Sequence, residues 1–211
     1  MAGKCDIIRK KLSEEGNAMK KLLITGFEPF GGETINPSWK AVKALPDEIN
    51  GYELRKICLP VVFGEAAEIV ISEAEKINPD VVLCIGQAGG RESITPELVG
   101  INLRHAEIPD NNGNHPKDEL IIQDGEAAQF STIPVRKITE ALKAENISSK
   151  VSYSAGAYVC NDLLYTVLTH FKKTKIMAGF IHVPYIPEQN KAPSMEVDKI
   201  IKGLEIAIKC L

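Results

Sequence analysis

Short, unbroken apolar runs alternate with amphipathic helical stretches along most of this chain, and no other feature restricts its fold as strongly. Runs of β character occupy residues 21–25, 54–59, 81–85, 98–103, 151–154 and 177–183. Helical periodicity is read over residues 37–45, 65–77, 134–144, 160–171 and 195–211. In the second stretch Ala66, Ile69, Val70, Ala74 and Ile77 share one stripe; in the last, Val197, Ile200, Ile201, Leu204 and Ile208 do. The first helix carries its own start signal, Asn36 as cap and Pro37 in the first turn. Strands alternating with helices imply a mainly parallel sheet covered on both faces. The runs Val81-Val82-Leu83-Cys84-Ile85 and Gly179-Phe180-Ile181-His182-Val183 have the continuous apolar character of strands buried on both sides. The expected fold is therefore a single-domain α/β/α sandwich around a twisted, mixed, mainly parallel sheet. Residues 98–103, with no helix before them, and the polar stretch 104–130 are its irregular part.

At 211 residues the chain is long enough to bury roughly 70% of its unfolded surface in one core without a staple. Its 25 Lys and Arg against 28 Asp and Glu leave a net charge of -3, which argues against nucleic acid or an anionic membrane as partner. No apolar run approaches the ~20 residues that span a bilayer. Residues 1–18 hold four bases and three acids and no apolar segment of the secretory kind. They are read as an extension that the domain, beginning near Met19, can dispense with. Five cysteines (Cys5, Cys58, Cys84, Cys160, Cys210) are an odd number without a CxxC pair. That speaks against a disulfide framework or a Cys-rich zinc site and for a reduced, cytoplasmic chain.

Open α/β sheets bind ligands beyond the carboxyl ends of their strands. Gly26-Phe27-Glu28-Pro29-Phe30-Gly31-Gly32 follows the first strand. It lacks GxGxxG and a Walker lysine, so its two phenylalanines suit a flat neutral ligand better than a phosphate, or else belong to the core. Gly86-Gln87-Ala88-Gly89-Gly90-Arg91 follows a second strand: a close approach to main chain with Gln87 as donor and acceptor, or simply a tight turn. Tyr153–Asp162 runs from a strand into a helix that starts around Cys160. A thiol there meets the positive end of the helix dipole, which favours thiolate, and the same amides could hold an oxyanion. Taken alone, a cysteine in Tyr-Val-Cys-Asn is more often a buried apolar residue than a nucleophile. His182 interrupts an apolar strand near its end, and of four histidines it alone could sit beside the Cys160 junction. A thiol nucleophile needs such a base, and the base an orienting partner. Glu97, opening the apolar run Leu98-Val99-Gly100-Ile101, is the acid least explained by solvation.

Together, Gly26–Glu33 with Asn36-Pro37-Ser38, Gly86–Arg91, Ala155–Asn161 and Phe180–Pro184 resemble, in order, the pyroglutamyl peptidase I (pyrrolidone-carboxylate peptidase) family, from about Lys20 to Leu211. The resemblance implies a cytosolic homo-oligomer, often a tetramer. It also implies a cofactor-free, metal-free cysteine peptidase that removes N-terminal pyroglutamate. Carried over by motif, Cys160 corresponds to the nucleophile, His182 to the base and Glu97 to the orienting carboxylate. A neutral lactam calls for aromatic walls and a few amide partners, for which Phe27, Phe30, Asn36 and Gln87 are of suitable type, with Arg91 as oxyanion support. Two departures stand out, because the family's usual arginines are replaced by Leu98 and Glu107. A nucleoside-phosphorylase-like enzyme of similar topology, or a pyroglutamyl-binding protein with a dead triad, are the rival readings.

Overall fold

The computed structural model describes residues 19–211, so the extension read over residues 1–18 lies outside the described residues. Eight strands and five helices follow in order: β1 Lys20–Phe27, α1 Pro37–Ala44, β2 Glu48–Ile49, β3 Tyr52–Leu59, α2 Glu65–Ile77, β4 Val81–Gln87, β5 Thr95–Pro96, β6 Val99–Ile101, β7 Ala128–Phe130, α3 Val135–Ala144, α4 Val159–Phe171, β8 Met177–Val183 and α5 Val197–Lys209. The main sheet has the order β2-β3-β1-β4-β8-β5. Its four central strands run parallel, and the two-residue strands β2 and β5 close its edges antiparallel.

Side chains alternate across a strand, so each central strand feeds both layers. Leu22, Ile24, Leu83, Ile85, Ile181 and Val183 meet α1, α3 and α5 through Ala41, Val42, Ile138, Leu142, Ile200 and Leu204. Leu23, Val82, Cys84, Ala178 and Phe180 meet α2 and α4 through Ala66, Val70, Ala74, Val159, Leu163 and Val167. The first helix can cross β1 closely only because Gly26 has no side chain: a methyl group there would lie 2.6 Å from the Trp39 backbone nitrogen.

Two expectations are corrected by the structure. Residues 98–103 do not join the main sheet; only Val99–Ile101 is a strand, paired with β7 in a separate two-stranded sheet. The reason is packing on α4, where Gly100 touches the helix backbone at Tyr165 and the buried Asn161 side chain bonds the N–H and C=O of Ile101. Residues 151–154 form no strand either. Ser152 makes a single bridge to Glu97, while Ser154 is turned back by its own local bonds. Conversely β5, which pairs Thr95 with His182 and Pro96 with Ile181, carries no periodicity because it is two residues long. A proline is tolerated there because the strand is at the sheet's edge.

Candidate active site

Parallel order brings the carboxyl ends of β1, β4 and β8 to one rim, and the loops leaving them enclose a cavity of about 160 Å³. Phe27, Phe30, Asn36, Gln87, Arg91, Cys160 and His182 line it. Tyr158, Val61, Ala88 and Ala155 complete the wall. Glu97 stands behind His182, outside the lining.

Cys160 is the second residue of α4, after Tyr158 as cap. The start of that helix is held from three sides. Asn161 Nδ2 donates to Ile101 O and Leu103 O, at 2.9 and 3.0 Å. Asp162, fully buried, receives Arg104 Nε at 2.5 Å and the Gly64 N–H at 2.7 Å. Gly86 makes the space for the thiol: a methyl group there would come 3.0 Å from Cys160 Sγ and 2.6 Å from Phe180 Cζ. In the β4–β8 register Gly86 is the partner of His182, so sulfur and imidazole are brought to the same place on the same face.

His182 is 3% exposed, its ring 4.7 Å from that of Phe180. Its Nδ1 donates to Glu97 Oε1 at 2.7 Å, which leaves Nε2 as the basic nitrogen. Glu97 gets there through β5: its N–H donates to Phe180 O at 2.9 Å, placing it diagonally across from His182. Arg91 Nη1 reaches the same Glu97 oxygen at 2.7 Å and also Thr95 Oγ1 at 2.7 Å, while Nη2 donates to Ser154 O at 3.1 Å. Burial pushes the Glu97 carboxyl up, but His182, Ser152 and Arg91 together outweigh it and hold the group below its ordinary value, as a carboxylate.

The expectation that the helix terminus lowers the Cys160 pKa is not met. Burial, followed by the charges of Glu97 and Cys84, pushes the thiol up to about 12, with Arg91 opposing. A shift in this direction favours the thiol over the thiolate, so a neighbouring base that takes the proton helps the sulfur to ionise. Cys84, buried in the same layer, is likewise pushed to about 12 by burial. Cys58 is exposed and Cys210 buried near the end of α5.

The aromatic wall is larger than the two phenylalanines expected of it. Tyr158 stacks at 6.2 Å from Phe30 and edge-on at 5.3 Å from Phe63, and its hydroxyl donates to Pro109 O. Tyr158 stood in the segment singled out for Cys160, and its place as helix cap could have marked it. Val61, beyond the end of β3, carried no signal. The two departures lie apart from the reacting groups. Leu98 packs against the core layer of α1, α3 and α5, and Glu107 sits within reach of His105 Nε2 at 3.2 Å. Among the described residues no group of three His, Cys, Asp or Glu side chains is arranged to hold a metal ion, and no helix is long and apolar enough to cross a membrane.

Comparison with known proteins accords with this geometry. The family model for pyroglutamyl peptidase matches residues 20–211. A pyrrolidone-carboxylate peptidase of Thermosipho africanus is 50% identical, covering 90% of this chain and 96% of its own. Another, from Staphylococcus saprophyticus, is 48% identical over 90% and 92% of the two chains. The crystal structure of pyroglutamyl peptidase I from Bacillus amyloliquefaciens superposes with a TM-score of 0.86 at 46% identity, over 90% of this chain and 96% of that one. The pyrrolidone carboxyl peptidase from Thermococcus litoralis gives 0.87 at 39% identity, over 91% and 93%. Neither rival reading is favoured by any of these. The chain belongs to the pyroglutamyl peptidase family of cysteine hydrolases.

Proposed function

We propose that this chain removes an N-terminal pyroglutamyl residue from peptides, with Cys160 as nucleophile, His182 as general base and acid, and Glu97 as the carboxylate that orients the imidazole. The observation that carries this reading is the 2.7 Å bond from His182 Nδ1 to a buried Glu97, beside a cavity that also receives the Cys160 sulfur. The ring of the substrate lies among Phe27, Phe30 and Tyr158, with its scissile carbonyl over the sulfur. His182 Nε2 takes the thiol proton as sulfur bonds to the carbonyl carbon, so thiolate and imidazolium arise together as a coupled pair. The imidazolium is stabilised by the Glu97 carboxylate. It then gives its proton to the departing amine, which leaves a thioester on Cys160, and later activates the water that releases pyroglutamate.

Among the described residues the amides of Val159 and Cys160 bond no other group, whereas those of Asn161 and Asp162 donate to Tyr158 O at 3.0 and 3.1 Å, so the first two are the ones free to meet the carbonyl oxygen as negative charge develops. Arg91 keeps Glu97 ionised and lends positive charge to the oxyanion's side of the cavity. Asn36 and Gln87 meet the polar atoms of the lactam; leaving one of these unpaired would cost about 1–3 kcal/mol. The resemblance further supports a cytoplasmic homo-oligomer, a tetramer, which sedimentation or light scattering would check. Turnover of a chromogenic pyroglutamyl amide by the wild type and its loss in Cys160→Ser test the assignment, and full turnover by that variant would end it.

A further inference from the structure

What Gln87 offers a ligand is decided by a residue outside the cavity. Gln189 ends the 3₁₀ turn Pro187–Gln189 and is 8% exposed. Its Oε1 accepts the Ile186 main-chain N–H at 3.1 Å. A main-chain N–H can only donate, so that end of the Gln189 amide must be the oxygen and the other end its NH₂. The NH₂ lies 2.8 Å from the Gln87 side chain, and since it can only donate, the Gln87 atom facing it must be Oε1. The second Nε2 hydrogen is directed at Glu33 Oε2, 3.4 Å away. Glu33 is paired with Lys191, whose bond holds it below its ordinary pKa, so it too can only accept. The two partners of Gln189 whose roles are fixed, the Ile186 N–H and the Glu33 carboxylate, enforce the same polarity.

With its oxygen turned to Gln189, Gln87 has its Nε2 left for the cavity, and among the described residues that nitrogen donates to no other protein group. Asn36 is in the same position. Its Oδ1 accepts from the N–H and hydroxyl of Ser38, at 3.0 and 2.8 Å, and its Nδ2 donates one hydrogen to Glu28 O, leaving one. Asn36 has therefore spent its oxygen and Gln87 has turned its own toward Gln189, and both keep N–H groups.

We propose that Gln189 is a positioning residue that locks Gln87 as a hydrogen-bond donor, so that the cavity accepts a five-membered ring bearing a neutral carbonyl and rejects the same ring bearing an ammonium. This rests on the functional reading above and deepens it. A lactam C=O finds N–H groups waiting for it. An N-terminal prolyl ring brings a cation with hydrogens to donate, and from these two amides it meets donors.

The test is Gln189→Glu, which cannot donate and so draws the Gln87 NH₂ toward itself and turns its oxygen to the cavity. Kinetics are read on pyroglutamyl and prolyl amides of the same leaving group, for the wild type, Gln189→Glu, Gln87→Ala and the double variant. KM for the pyroglutamyl amide should rise about ten-fold or more in Gln189→Glu while kcat stays nearly constant, and the preference over the prolyl amide should shrink. In the Gln87→Ala background the same substitution should add almost nothing, because Gln189 acts only through Gln87. Should Gln189→Glu fail to fold, Gln189→Met, which frees Gln87 without reversing it, carries the same cycle with a smaller rise in KM. An unchanged KM, equal effects in both backgrounds, or a fall in kcat that merely follows the melting temperature would overturn the proposal. A wild type that turns over no pyroglutamyl amide would overturn the functional reading, and this one with it.

Discussion

Adding one methyl group at Gly86 tests the packing that brings the reacting groups together. In Gly86→Ala the new carbon would lie 2.6 and 2.8 Å from Phe180 Cζ and Cε1 and 3.0 Å from Cys160 Sγ. The Phe180 ring is fully buried, with Phe27 at 6.4 Å and His182 at 4.7 Å, so it cannot swing clear. Ring, sulfur or strand must shift by several tenths of an ångström. Overpacking of this kind costs about 1–3 kcal/mol. At roughly 2–4 °C per kcal/mol for a chain of this size, the melting temperature should fall modestly and the fold survive. The rate should fall as well, by up to about 10²-fold as the misplacement between reacting groups approaches about 1 Å.

The assay is kcat and KM on a pyroglutamyl amide beside thermal melts monitored by circular dichroism. Gly179→Ala on β8 serves as control: its methyl would meet Ile133 Cδ1 and Cγ1 at 2.5 Å, in the layer on the other face of the sheet. It should lower the melting temperature comparably while leaving kcat within a few-fold. If Gly86→Ala keeps full kcat, or if both variants lose rate only in proportion to stability, the placement of sulfur against this strand does not govern the chemistry.

The remaining predictions concern the residues around that contact. Glu97→Gln keeps the shape but can present the wrong end of its amide to His182 Nδ1; kcat should fall by about 10²–10⁴ with KM nearly unchanged, and an unchanged rate would strip Glu97 of its role. Glu97 is held below its ordinary carboxyl value of 4.5, so its contribution to stability is complete above that value and is lost as pH falls through the lower, folded one. Acid melts of the wild type and Glu97→Gln should therefore converge at low pH. His182→Ala should abolish turnover and also slow iodoacetamide labelling of Cys160 at neutral pH, because the thiol, pushed to about 12 by burial, loses its proton acceptor; labelling as fast as wild type would show that the sulfur ionises without it. Deleting residues 1–18 should leave both melting temperature and turnover intact, and a large loss of either would show that the extension belongs to the domain.

The central architecture was legible because its strands are buried on both faces. Residues 81–85 and 177–183 have the unbroken apolar character expected of interior strands, and β4 and β8 lie where they were read. What escaped was everything held by side chains instead of periodicity. The run 98–103 looks like a sheet strand, yet Asn161 fastens its middle to a helix, and no local pattern records a partner 60 residues away. Strand β5 is too short to show alternation, although it delivers Glu97 to His182.

Within the site, residue types were readable and electrostatics were not. Cys160 does sit at a helix N-terminus, as the small residues before it suggested. Its pKa moves the opposite way because burial, followed by the Glu97 charge, pushes the thiol up, and burial is a property of the assembled layers. Gln189 lies in the short 3₁₀ turn after β8, where no motif or periodicity marks it. Its importance comes only from meeting Gln87, 102 residues earlier in the chain.

The whole account depends on the Cys160 sulfur forming a bond to the pyroglutamyl carbonyl carbon. Mixing enzyme with an activated pyroglutamyl ester, quenching in acid and measuring intact mass should reveal an increment of one pyroglutamyl group. Peptide mapping should place it on Cys160, and it should disappear on standing at neutral pH and be absent from Cys160→Ser. Rapid turnover of that ester with no adduct at any time, or with the group on another residue, would contradict the mechanism.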